Sequence, residues 1–156
     1  MKKILQNLEE ATRIIQAADH ITTNTYPLIK ENRILLHSTL EIKKANTKII
    51  TAILQYEYLY KRIRISFDHQ ENYETFKKKC AQKYEITLEE IKNIEEIIKI
   101  YNAHKKSPIE ISKNRKIIIL SKNMEKIEIT FDKTKKYILN SKNLLGKTFA
   151  KIKKSI

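Results

Sequence analysis

The side chains able to do chemistry are few and scattered along the chain. Asp68, His69, Glu71 and Glu74 form the one compact set of potential metal ligands. Acidic residues gather at helix N-termini for electrostatic reasons alone, so this set reads as a helix start and no metal is expected. Thiolate zinc sites are excluded by a single cysteine, Cys80, and no His-x-x-x-His pair exists,. Cys80 falls on the apolar row of its helix and reads as a small core residue. The adjacent pairs Glu9–Glu10, Glu89–Glu90 and Glu95–Glu96 point in different directions on a helix,. They read as solvated faces, not as paired carboxylates for acid–base work. Gly146 is the only glycine, which excludes the glycine-rich turns of Walker and dinucleotide type. No cofactor is expected.

Binding chemistry has a better candidate in the last 25 residues. Lys133, Lys136, Lys147, Lys151 and Lys154, with Lys135, Lys142 and Lys153 between them, crowd the polar faces of one helix. Lysines there can neutralise phosphates without reading sequence, since they lack the bidentate fork of arginine. Of 32 basic and 18 acidic residues, residues 1–75 hold 11 and 9, while residues 76–156 hold 21 and 9. The net +14 therefore sits almost wholly in the second half, the pattern of a chain that meets RNA, DNA or another polyanion,. Lysine outnumbers arginine 27 to 5 beside abundant Ile and Asn, an excess that an AT-rich genome imposes on any protein. Both origins of the surplus stand open.

The elements that position these residues are mostly helical. One glycine and two prolines in 156 residues leave few places to break a helix,. A hydrophobic fraction of 41% suffices for one domain with its own core,. Ile4, Leu8, Ala11, Ile15, Ala18 and Thr22 mark an amphipathic helix over 3–23. A turn at Thr22–Thr25 follows, and Pro27 suits the first position of a second helix. Leu28, Leu35, Ile42, Ile49, Tyr56 and Ile63 recur every seven residues, predicting a long helix over 27–63 with a bend near Asn46-Thr47. Asp68 and Glu71 predict a capped third helix, lined by Tyr73, Phe76, Cys80 and Tyr84. Thr87 and Glu90 predict a fourth, with Ile91, Ile94, Ile98 and Tyr101 inward and a Glu95–Lys99 pair outward. Ser107-Pro108 ends it.

The period then changes from helical to alternating at Ile109-Glu110-Ile111 and Lys126 to Thr130, while Ile117-Ile118-Ile119-Leu120 is a short β-branched run. Asn114 and the 121–124 segment supply turns, so a small β-hairpin, extendable to three strands, is expected over 109–130. Thr130 caps a last helix over 131–155. The fold class expected is thus mostly α: one domain over 1–156, an antiparallel bundle of four to five helices, with the β-hairpin before the basic C-terminal helix.

Two resemblances bear on function. Arg64 and His69 have four residues between them, and Arg62 to His69 and Arg13 to His20 have six. A helical chain of this size with that Arg/His spacing resembles the HEPN superfamily, many of whose members are ribonucleases of toxin and defence systems. The resemblance implies a homodimer with its active site at the interface, built from Arg64 and His69 or Arg13 and His20. The histidine would move protons at the 2′-hydroxyl and the arginine would steady the phosphate. The segments Thr25-Tyr26-Pro27-Leu28, Leu54-Gln55-Tyr56-Glu57 and His104-Lys105-Lys106-Ser107-Pro108 resemble small uncharacterised proteins of AT-rich archaea. That resemblance implies a compact helical fold and singles out His104 and Lys105, which a helix C-terminus also favours through its dipole.

No stretch reaches the roughly 18 apolar residues of a membrane span, and Gln6, Asn7, Glu9 and Glu10 interrupt the apolar segment a signal peptide needs. A cytoplasmic protein without membrane contact is expected. Three functions stand open: a non-catalytic module binding nucleic acid or another polyanion weakly and without sequence preference, a HEPN-like ribonuclease, and a protein-binding scaffold docking through its long second helix.

Overall fold

The computed structural model describes residues 1–106, 109–121 and 125–154. It is mostly helical, with a three-stranded antiparallel sheet before the C-terminal helix. The chain opens with α1 (Lys2–His20), which continues through a π-helical turn, Ile21–Thr25, into α2 (Tyr26–Ile29). The expected turn at Thr22–Thr25 is therefore helical. Pro27 supplies the reason: it has no N–H to donate to the carbonyl four residues back. The ladder widens there by one residue, with the Tyr26 N–H donating to the Ile21 carbonyl,.

The first helical run ends at Lys30, whose φ of 56° is left-handed, as the N–H of Lys30 closes onto the Tyr26 carbonyl at 2.7 Å. Left-handed caps at Lys61 (φ 59°) and Glu85 (φ 58°) stop the next two runs. Scarcity of glycine does not prevent these breaks, because lysine and glutamate take the conformation that glycine favours. The second expected helix accordingly shortens to α3 (Arg33–Leu59), about 40 Å long. It passes Asn46-Thr47 without a break.

Asp68 caps α4 (His69–Thr75), its carboxylate accepting from the Gln70 N–H at 3.0 Å. Glu71 does not close a reciprocal box; it takes the Ser66 hydroxyl instead. A π-helical turn, Phe76–Cys80, extends this run and buries Phe76 and Cys80, with Tyr84 buried just beyond. Helix α5 (Leu88–Lys106) starts at Thr87, which bonds both the N–H and the carboxylate of Glu90. Its buried face is Ile91, Ile94, Ile97 and Ile100; Ile98 and Tyr101 are only half-buried. The expected Glu95–Lys99 pair is absent, as Glu95 pairs with Lys77 and Lys99 with Glu125. The expected stop at Ser107-Pro108 lies outside the described residues.

Strands β1 (Ile109–Lys113), β2 (Lys116–Leu120) and β3 (Lys126–Thr130) form a meander in that order. Ile117, Ile119 and Ile129 turn one face into the core. Thr130 then caps α6 (Phe131–Lys153) by accepting the Lys133 N–H.

The polar pairs between helices give their directions. Asn7 reaches Gln55 and Lys48 reaches Glu10, so α1 and α3 are antiparallel. Thr39 meets Thr134 at 3.4 Å and Asn46 accepts from Ser141 at 2.7 Å, seven residues further along both helices. Helices α3 and α6 therefore run parallel. Asn93 bonds Asn140 and Glu96 bonds Tyr137, which sets α5 antiparallel to α6. Helix α3 is flanked by α1, α5 and α6 and buries much of its length.

Candidate functional sites: a basic pocket and an apolar groove

A buried amide ties the β1–β2 turn of the sheet to the helices. Asn32, in the break before α3, accepts the Tyr26 hydroxyl at 3.2 Å. Its Nδ2 donates to Ser112 Oγ at 2.9 Å, with the Asn114 and Lys116 carbonyls at 3.1 and 3.3 Å. Asn114 holds a left-handed φ of 58° in the β1–β2 turn, a conformation asparagine tolerates well. The amide thus draws the tight turn against the left-handed cap at Lys30.

A cavity of about 440 Å³ opens beside this junction, with Lys30, Arg115 and Lys116 at its wall next to Tyr26, Phe131 and Asp132. The Tyr26 and Phe131 rings stack at 5.2 Å with 20° between planes, and the Lys135 ammonium lies 5.2 Å from the Phe131 ring centre. Lys116 pairs with Glu128 at 3.2 Å. Lys30 and Arg115 have no ion pair among the described residues. Lys113, opposite Lys116 in the sheet register, and Arg33, beside Asn32, are exposed on the same end of the molecule. Three cations line this cavity, against Asp132 in its wall, Glu128 paired with Lys116, and Glu31 next to Lys30 in sequence.

The lysines of α6 divide. Lys136 pairs with Glu89 at 3.6 Å, Lys142 with Asp19 at 2.6 Å, and Lys147 with Glu90 while also donating to the Glu85 carbonyl. Lys133 donates to the Glu128 carbonyl. Lys151 and Lys154 are exposed without an ion pair among the described residues. Much of the charge on this helix is spent on the bundle itself.

No hydrogen bond joins the arginine and histidine of any candidate pair among the described residues. Arg64 lines a cavity with Met1, Lys3 and Tyr58, whereas His69 lines a separate groove between α3, α4 and α5. Arg13 and His20 stand two turns apart on α1, about 10 Å along its axis; the His20 ring bonds Asn24. His104 bonds the Glu110 carboxylate and Lys105 is exposed at the end of α5.

The groove that holds His69 has a volume of about 660 Å³. Ile50, Leu54, Ile94, Ile97 and Ile98 make its floor, and no carboxylate among the described residues lines it. Asn72 and Tyr73 stand with His69 at the α4 side; Lys43 and Asn102 lie at the far end, with the Lys43 ammonium 4.2 Å from the Tyr101 ring centre.

The most buried acid, Glu57, is 2% exposed and accepts from Arg62 at 3.1 Å, Lys83 at 3.0 Å and Tyr84 at 3.0 Å. All its partners are internal, and it serves the fold. No group of three or more His, Cys, Asp or Glu among the described residues forms a metal site, the 68–74 set included. No helix among them is long and apolar enough to cross a membrane.

Lys30, Arg115, Lys116 and Lys43 are the residues that sequence reasoning passed over. The turn signal at Asn114 marked where Arg115 would project; the partner across the junction, Lys30, carried no signal. No protein-family model, no curated protein and no solved structure matches this chain.

Proposed function

We propose that this protein binds nucleic acid or another polyanion through the backbone phosphates, without reading bases and without cleaving them. The observation that carries this reading is the convergence of Lys30, Arg115 and Lys116 on one cavity, two of the three lacking an internal carboxylate partner among the described residues. A long-range fold contact that assembles cations of like sign costs free energy in the absence of a counter-ion. A phosphate chain supplies that counter-charge and releases its condensed cations on binding. The aromatic rings at the pocket are stacked on each other, and Tyr26 is buried. They serve as wall rather than as a platform for bases, in keeping with contact confined to the backbone.

Fluorescence anisotropy of a labelled single-stranded RNA across a salt series tests the reading. Each phosphate neutralised contributes about 0.7 to the log–log salt slope for a single strand. Lys30→Ala and Arg115→Ala should each flatten that slope by about this amount, whereas Lys136→Ala, already paired with Glu89, should leave it nearly unchanged. No retention at low salt, or equal slopes for all three variants, would overturn the proposal. Cleavage of the RNA, lost in His69→Ala or His20→Ala, would replace it with the ribonuclease reading.

A further inference from the structure

We propose that the groove between α3, α4 and α5 is a second, independent site that binds an elongated apolar molecule ending in a carboxylate. Its volume of about 660 Å³ falls within the range of about 300–1,000 Å³ typical of small-molecule sites. The floor of isoleucine and leucine suits an aliphatic body. From Lys43 to Leu54 the lining follows α3 for about 16 Å, which suits an extended chain rather than a compact ring.

The charges fix the head of the ligand. No Asp or Glu lines the groove, and Lys43 makes no ion pair among the described residues, its ammonium resting only against the Tyr101 ring. An ammonium beside an apolar groove that no carboxylate lines favours an anion as its partner. One turn along the same face of α3 stands Asn46, 3% exposed. Its Oδ1 takes the Ser141 hydroxyl, and its Nδ2 has no partner among the described residues. A buried donor left unmade is costly, and such groups are rare in folded chains. Lys43 therefore forms the charged end of the groove, where a carboxylate accepts from the ammonium, with Asn46 lining the groove one turn away. The opposite end, beyond Leu54, meets the ligand's tail with Ile65 and the Tyr73 ring; Gln55, His69, Asn72 and the buried Tyr73 hydroxyl, unpartnered among the described residues, also line this end but carry no fixed cation.

The test titrates the full-length protein with decanoate, and in parallel with decyltrimethylammonium, both below their micellar concentrations. Amide chemical shifts and calorimetry are read together. Decanoate should bind saturably, one per chain, with shifts in residues 43–55 and 94–102, and the cationic analogue should bind at least about tenfold more weakly. Lys43→Met should weaken decanoate about tenfold or more. Ile50→Trp, at a half-buried floor position, should block the groove. Arg115→Ala, which lies outside it, should leave decanoate affinity unchanged. Shifts that do not saturate, equal affinity for both head groups, or full affinity in Lys43→Met would overturn the proposal. Lys43→Met removes no core contact, so its decanoate affinity decides the matter even where Ile50→Trp fails to fold.

Discussion

The Tyr84 hydroxyl donates to the Glu57 carboxylate at 3.0 Å across 27 residues of chain, and this bond closes the helical run after α4 onto the end of α3. Burial alone would push the Glu57 carboxyl up. The bonds from Lys83, Arg62 and Tyr84 together outweigh it and hold the group below its usual 4.5. A carboxyl with a depressed folded pKa stabilises the fold above its unfolded value, and that stability is lost as the pH falls through the folded one. Glu57→Gln should therefore lower stability at pH 7 by about 2 kcal/mol, and flatten the decline of stability below about pH 4.5. Urea titrations at several pH values measure both; equal loss at pH 7 and pH 3 would show that the charge is not the source.

The same carboxylate adds to the effect of burial on the one cysteine. Burial first, and the Glu57 charge second, push the Cys80 thiol up to about 11. At pH 8 about one thiol in a thousand would be ionised even if reagent reached it. Labelling of native protein by an aromatic disulfide should thus proceed only through opening, orders of magnitude slower than in denaturant. Glu57→Gln should speed it by lowering both barriers.

The fold was legible where the hydrophobic period is strong and where caps carry a side-chain signature. Thr87, Asp68 and Thr130 start helices as their types require, and the β-branched run from Ile117 and the alternation around Ile127 mark strands. What the sequence hid follows from backbone chemistry that composition does not display. Pro27 reads as a helix start because it lacks an N–H, yet a π-helical turn absorbs that defect and the helix runs on. Lys30, Lys61 and Glu85 end helices with no glycine to announce it. The Asn32 bridge depends on contacts 80 residues away, which no local pattern encodes. The basic pocket was illegible for the same reason, since Lys30 lies in the charge-balanced half of the chain. The α6 lysines, conspicuous in sequence, turn out to be partly neutralised by Asp19, Glu89 and Glu90.

Left-handed residues with a Cβ offer a direct check on helix termination. A non-glycine residue in this conformation costs about 1–2 kcal/mol, and replacement by glycine returns about 0.4–1 kcal/mol to the unfolded chain as entropy. Lys61→Gly and Glu85→Gly should each raise stability by about 0.5–1 kcal/mol. Asn114→Gly should gain less, because asparagine tolerates this conformation better. Chemical denaturation decides the ranking; a loss at Lys61 would mean that its side chain contributes more than the backbone strain removes.

Asn32 links stability to the basic pocket, and two variants separate these roles. Asn32→Ala strips the buried Tyr26 hydroxyl and the β1–β2 turn of their shared partner, at a cost of about 2–3 kcal/mol. Hydrogen exchange should then lose protection first in 109–120, because the turn end of the sheet is released from the helices while Ile117, Ile119 and Ile129 remain in the core. Arg115 is no longer held beside Lys30, so the salt slope for RNA binding should flatten as well. Arg115→Ala removes an exposed side chain, and should flatten the slope with stability unchanged within about 0.5 kcal/mol. If Asn32→Ala lowers stability but leaves the salt slope intact, the junction does not organise the cations. The binding charge would then lie elsewhere, with Lys151 and Lys154 of α6 the next residues to replace.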